Sequence, residues 1–195
     1  SKSQEALKNA QEIALSRGSQ QVDIAHLLYA LIVQEESVVP SVFQKLEVDV
    51  EKIKGALLDV IEEGTGASVG AVGQIYITPG LAKIFSQAEA EMKKIGDAFI
   101  STEHLLLAIL NTSSAVKKLL EQYKVTYDEV LKVLSLVRGG QHVETQEPEK
   151  TYQALEKYTL NLTDLARQEK LDPVVGRDEE IRRVMQVLSW RTKKN

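Results

Sequence analysis

Two histidines, one acidic pair and one glycine-rich run are the places in this chain where chemistry could be built. His26 and His104 each stand three residues after a side chain suited to capping a helix, Asp23 and Ser101. An imidazole at that spacing can reach back to the cap backbone, as the acid of a capping box does. A zinc ligand set or a general base is the rival reading. The chain holds no cysteine and no His-x-x-x-His spacing to complete a metal site, so no metal is expected. His142, in a polar stretch, has no partner either. Asp97 and Glu103 flank Phe99-Ile100, and both types suit a turn and a first helical turn. Residues 64–73 carry four glycines. A phosphate-binding loop needs Lys-Ser/Thr after its last glycine and a strand before its first. Here Gln74-Ile75 follows and a helical pattern precedes, so the run reads as a linker. No catalytic residue emerges.

What must position these residues is a duplicated unit. At the offset of 78 that carries His26 onto His104, Ala10 falls on Ala88, Gly18 on Gly96, Leu27-Leu28 on Leu105-Leu106 and Ala30 on Ala108. With one residue dropped the match continues, Val48-Asp49-Val50-Glu51 falling on Val125-Thr126-Tyr127-Asp128. Neither copy can bury its apolar face alone, so the two are expected to pack as a pseudo-twofold domain with a seam that could form a groove. Asp97 and Glu103 fall on Ser19 and Ala25, so the acidic pair belongs to one copy only. Core packing shared by both copies does not explain it.

The pattern is helical almost throughout. Ala6, Leu7, Ala10, Ile13 and Ala14 keep helical spacing, as do Leu81, Ile84, Phe85, Ala88 and Met92. Thr78-Pro79 sets a cap before a proline at the first helical position, and Thr126 with Glu129 has capping-box spacing. Roughly eight helices with short connections follow. The stripes Leu27, Leu28, Leu31 and Leu105, Leu106, Ile109 are assigned to the core. Gly139-Gly140 ends the second copy, residues 141–150 are polar with Pro148, and short helical patterns resume from Tyr152. Aromatic residues make up 5% and the net charge is −4, which disfavours nucleic-acid binding. No apolar run reaches the roughly 20 residues of a membrane helix. With no cysteine, a soluble protein of a reducing cytoplasm is expected.

Leu171-Asp-Pro-Val-Val-Gly-Arg-Asp-Glu-Glu-Ile-Arg-Arg183 resembles the opening of the first AAA+ module of Clp-type protein unfoldases. Tyr152-Gln-Ala-Leu-Glu-Lys-Tyr158, followed by Leu162-Thr163, looks like the connection found in the ClpB-type disaggregases of that family. Gly96-Asp-Ala-Phe-Ile-Ser-Thr-Glu-His-Leu105 is similar to the second-copy segment of the Clp N-domain. Trp190 departs from the pattern, which usually has a basic residue there. The resemblance implies an all-α fold: a duplicated four-helix repeat, a linker, and the first helices of a truncated AAA+ module. Residues 1–138 would be the double-repeat domain (copies at about 1–63 and 78–138), 139–150 the flexible linker, and 151–195 the AAA+ entrance.

For function, the resemblance implies a substrate-recognition domain that captures exposed apolar segments of unfolded or aggregated proteins. Threading would fall to the ATP- and Mg-dependent AAA+ ring of a homohexameric parent, working with a DnaK-type chaperone system. Asp97 and Glu103 would then rim an apolar groove and orient an extended polypeptide. Val174, Val175 and Gly176 would flank the nucleotide base in the intact parent. The chain itself lacks Walker A, Walker B and an arginine finger, so it is expected to be free of cofactor and without enzymatic activity. Ring formation in the resembled family depends mainly on the AAA+ modules, which implies a monomer here. Three alternatives stay open: an adaptor- or degron-docking domain of a ClpC- or ClpA-like unfoldase that feeds a protease, a structural spacer, and a free-standing nucleotide-dependent enzyme, the last disfavoured by the missing phosphate loop.

Overall fold

Local signals start and stop the helices where the sequence places them. In the computed structural model, which describes residues 1–64, 75–138 and a strand at 159–160, each copy carries four helices. They are α1 (Lys2–Ser16), α2 (Ile24–Val33), α3 (Val38–Lys45) and α4 (Val50–Gly64), then α5 (Pro79–Ile95), α6 (Thr102–Leu110), α7 (Ala115–Gln122) and α8 (Tyr127–Arg138). Ser1 caps α1, its hydroxyl accepting from the Gln4 N–H. Thr78 caps α5 with Pro79 at the first position. At α8 only half of the expected box forms. The Glu129 N–H donates to Thr126 Oγ1 at 3.3 Å, but the Glu129 carboxylate turns to Lys132.

The burial pattern sets the architecture. Every residue of α6 is buried, as are eight of the ten in α2. A helix apolar nearly all round belongs at the centre of a fold. The two His-Leu-Leu helices are accordingly the paired middle, with α1 packed on α2 and α5 on α6. Leu27, Leu28, Leu31, Leu105, Leu106 and Ile109 are all fully buried, as assigned. The outer helices bury one ladder each: Ile53, Leu57 and Ile61 on α4, Val130, Leu134 and Arg138 on α8.

The all-α architecture is as expected, and the strands that accompany it are only two residues long. β1 (Gln21–Val22) pairs in parallel with β2 (Tyr76–Ile77), and β3 (Ile100–Ser101) pairs antiparallel with β4 (Thr159–Leu160). Side chains also stitch the copies together. Thr78 Oγ1, already accepting from Leu81, donates to Asp23 Oδ1 at 2.7 Å and so ties the caps of α5 and α2. Ser37 and Thr102 hydroxyls meet at 3.5 Å in the buried seam.

Gly18 and Gly96 follow α1 and α5 with φ of +75° and +83°. Their match between copies is thereby explained, because only glycine enters this left-handed cap without strain. Gly96→Ala is expected to cost about 1–2 kcal/mol. A urea midpoint equal to wild type would contradict the assignment. Residues 65–73 of the expected linker, His142, the linker at 139–150, the helical patterns from Tyr152 and the segment Val174, Val175, Gly176 lie outside the described residues. Among the described residues, no helix is long and apolar enough to cross a membrane.

Candidate functional site

The acidic pair sits where three elements meet. Gly96 turns the chain out of α5, and the Asp97 N–H closes the turn on Met92 O at 3.0 Å. That places Asp97 in front of the first turn of α6, which brings Glu103 and His104. The last turn of α8 supplies the fourth member, Arg138, from 41 residues away. Arg138 Nη2 donates to Asp97 Oδ1 at 2.5 Å and Nη1 lies 3.8 Å from Glu103 Oε1. His104 Nε2 lies 2.6 Å from Asp97 Oδ2, and Ser101 Oγ donates to Glu103 Oε1 at 2.6 Å. Asp97, Ser101, Glu103, His104 and Arg138 are all buried. The two carboxylates expected at a groove rim therefore lie inside the fold, gathered on one guanidinium.

The hydrogen bonds fix the protons. His104 Nδ1 accepts the Ser101 N–H at 2.8 Å, so its proton sits on Nε2 and is donated to Asp97. Burial pushes the His104 pKa below its usual value, more than Asp97 raises it. Burial alone would raise the Asp97 carboxyl. Hydrogen bonds from His104 and Arg138 outweigh it and hold that carboxyl well below the usual carboxylate range.

Ser101, His104 and Asp97 have the residue types of a nucleophile triad, with Ser101 Oγ 3.0 Å from His104 Nδ1. The arrangement cannot activate the serine. The Nδ1 lone pair already holds a backbone N–H, and the hydroxyl proton points to Glu103. Candidate ligand atoms of Asp97, Glu103 and His104 lie within 4.8 Å of one another. A metal fits no better, because both imidazole nitrogens are committed and Arg138 already supplies positive charge there.

His26 repeats the cap without the cluster. The Asp23 N–H donates to His26 Nδ1 at 2.9 Å, so both histidines have the capping role read from their spacing. The residue at Asp97's place is Ser19, which turns back to bond Gln21. His26 Nε2 is left buried with no protein partner, and burial lowers its pKa.

A second polar group was missed by sequence reasoning. The buried Glu91 accepts from Gln87, Lys94, Asn111 and Tyr127. Burial works against its charge, yet these donors bring its pKa below the usual value. The same contact and burial raise that of Tyr127. Glu91 falls on Ile13 at the 78 offset, and Arg138 falls on Ile61 once the residue is dropped. Those mismatches between otherwise matching copies were the signal that could have found both.

Comparison with known proteins adds an independent line. The sequence model of the Clp repeat (R) N-terminal domain matches residues 1–123. The chain is 40% identical over 199 residues to the chaperone protein ClpB of Bacillus anthracis, covering all of this chain and 23% of that protein. It is 43% identical over 195 residues to ClpB of Bdellovibrio bacteriovorus, with the same coverages. The chain thus spans under a quarter of the length of these relatives. Among solved structures, the Hsp104 N-terminal domain of Candida albicans superposes with a TM-score of 0.62 at 16% identity. That match covers 72% of this chain and 91% of the other and shows a shared fold.

Proposed function

Because this chain belongs to the Clp repeat N-terminal domain family, we propose that it is the substrate-recognition domain of an ATP-dependent disaggregase. It would capture exposed apolar segments of unfolded or aggregated proteins and hand them to the AAA+ ring. The observation that carries this reading is the identity to ClpB proteins along the whole chain, beyond the repeat domain that the family shares. Leu15, Val33, Tyr76 and Leu136 are the large apolar side chains exposed among the described residues, so apolar contact area is available. The proposed affinity is weak, since a domain tethered near its ring gains effective concentration from the tether and must release what it holds.

The same reading gives the parent protein its ATP, Mg, hexameric ring and DnaK-type partner system. Val174, Val175 and Gly176 would flank the nucleotide base there, while the chain itself would turn over no ATP. Asp97 and Glu103 would serve from beneath the capture surface.

The test is a titration of the chain with reduced, carboxymethylated lactalbumin as a permanently unfolded client, and with native lactalbumin as control. Saturable binding of the unfolded form alone is expected, with a Kd on the order of micromolar or weaker. No binding of the unfolded form would contradict the proposal and move weight to an adaptor-docking domain.

A further inference from the structure

We propose that Arg138 is a positioning residue, and that Asp97 and Glu103 act on client capture by holding it and not by touching the client. The inference rests on the capture reading above. Its ground is the comparison of the two outer ladders. Ile53, Leu57 and Ile61 are the buried rungs of α4, and Val130, Leu134 and Arg138 are the buried rungs of α8 at the same three positions. The third rung is a buried isoleucine in one copy and a buried arginine in the other. An arginine serving only the helix C-terminus could keep its head in water. This one is 5% exposed and turned inward between two carboxylates.

The socket changes together with the rung. Arg138 meets Asp97 and Glu103; where repeat one has Ile61, the positions that match those two carboxylates hold Ser19 and Ala25. The ionic cluster therefore does what an apolar contact does in the other copy: it seats the last turn of the outer helix against the turn and helix start that precede Leu105 and Leu106. The guanidinium reaches two carboxylates on different elements, so it fixes their relative placement. Residue 139, where the expected linker begins, follows Arg138 directly.

The experiment exchanges one rung for the other in the full 195-residue chain. Asp97→Ala, Glu103→Ala and Arg138→Ala are each expected to weaken binding of carboxymethylated lactalbumin by about fivefold or more, and to speed amide exchange at Val137 and Arg138. The triple variant Asp97→Ser, Glu103→Ala, Arg138→Ile installs the repeat-one set. It is expected to restore both the slow exchange and an affinity within about twofold of wild type, inside the error of additive effects. A triple variant that melts cooperatively but binds as weakly as Asp97→Ala would overturn the proposal, because the carboxylates would then be needed for themselves. Should the triple variant fail to fold, Arg138→Ala decides: unchanged or tighter client binding overturns the proposal, since it would mean carboxylates freed for the client. If the wild type binds no unfolded client, the capture reading fails, and exchange at Val137 and Arg138 still tests the positioning role. Equal exchange in wild type and the three alanine variants would refute that role.

Discussion

Asp97→Ala is expected to destabilise the domain by about 3–5 kcal/mol, the cost of removing one partner from a buried ion pair. The carboxylate is the acceptor that both His104 Nε2–H and Arg138 Nη2 use, so its loss strands a buried donor and a buried cation together. Surface ion pairs give a useful contrast. Lys132 and Glu129 on α8 are both exposed, and breaking their pair should cost well under about 1 kcal/mol. Urea unfolding of Asp97→Ala beside Glu129→Ala would separate the two regimes. Similar midpoints for the two variants would mean that the cluster is not the anchor its burial indicates. Asp97→Asn should fall in between, because an amide can still accept from His104 but no longer balances the guanidinium.

Acid should weaken the fold in two steps, both in the same direction. His26 and His104 have folded pKa values below 6.5, so as pH falls the unfolded chain takes up those protons first. Their contribution is complete above about 6.5 and declines below it. Asp97 and Glu91 lie below their ordinary values of 3.8 and 4.5. Their contribution is complete above those values and is lost as pH falls further. Urea midpoints should therefore drop from about pH 7 to 5, and more steeply from about pH 4.5 downward. Asp97→Asn should flatten the lower limb and leave most of the upper one. A midpoint that stays level from about pH 7 to 4 would contradict these assignments.

The parts of this molecule legible in its sequence are those fixed by neighbours three or four residues away. Histidine caps, the Thr78-Pro79 start and the turn glycines are local devices, and each appears where the spacing put it. The helical stripes were legible for the same reason. What sequence hid was partnership at a distance. Asp97 and Glu103 read as surface acids because acids are rarely buried unpaired, and the pairing cation lies on a helix two elements further on. Nothing local singles out Arg138, because a basic residue at a helix end is ordinary. The two-residue strands gave no signal, since pairs of that length carry no alternating pattern to detect. Duplication partly lifts that limit. A charged residue that matches an apolar one in the other copy marks a place where the core was rebuilt, as at Glu91 against Ile13 and Arg138 against Ile61.

The most direct test of the capture reading is to follow backbone amide shifts of the chain during titration with carboxymethylated lactalbumin. The account predicts saturable shifts that cluster along the seam between the two repeats, with native lactalbumin producing none. Shifts scattered over the surface without saturation, or equal shifts with the folded control, would contradict it.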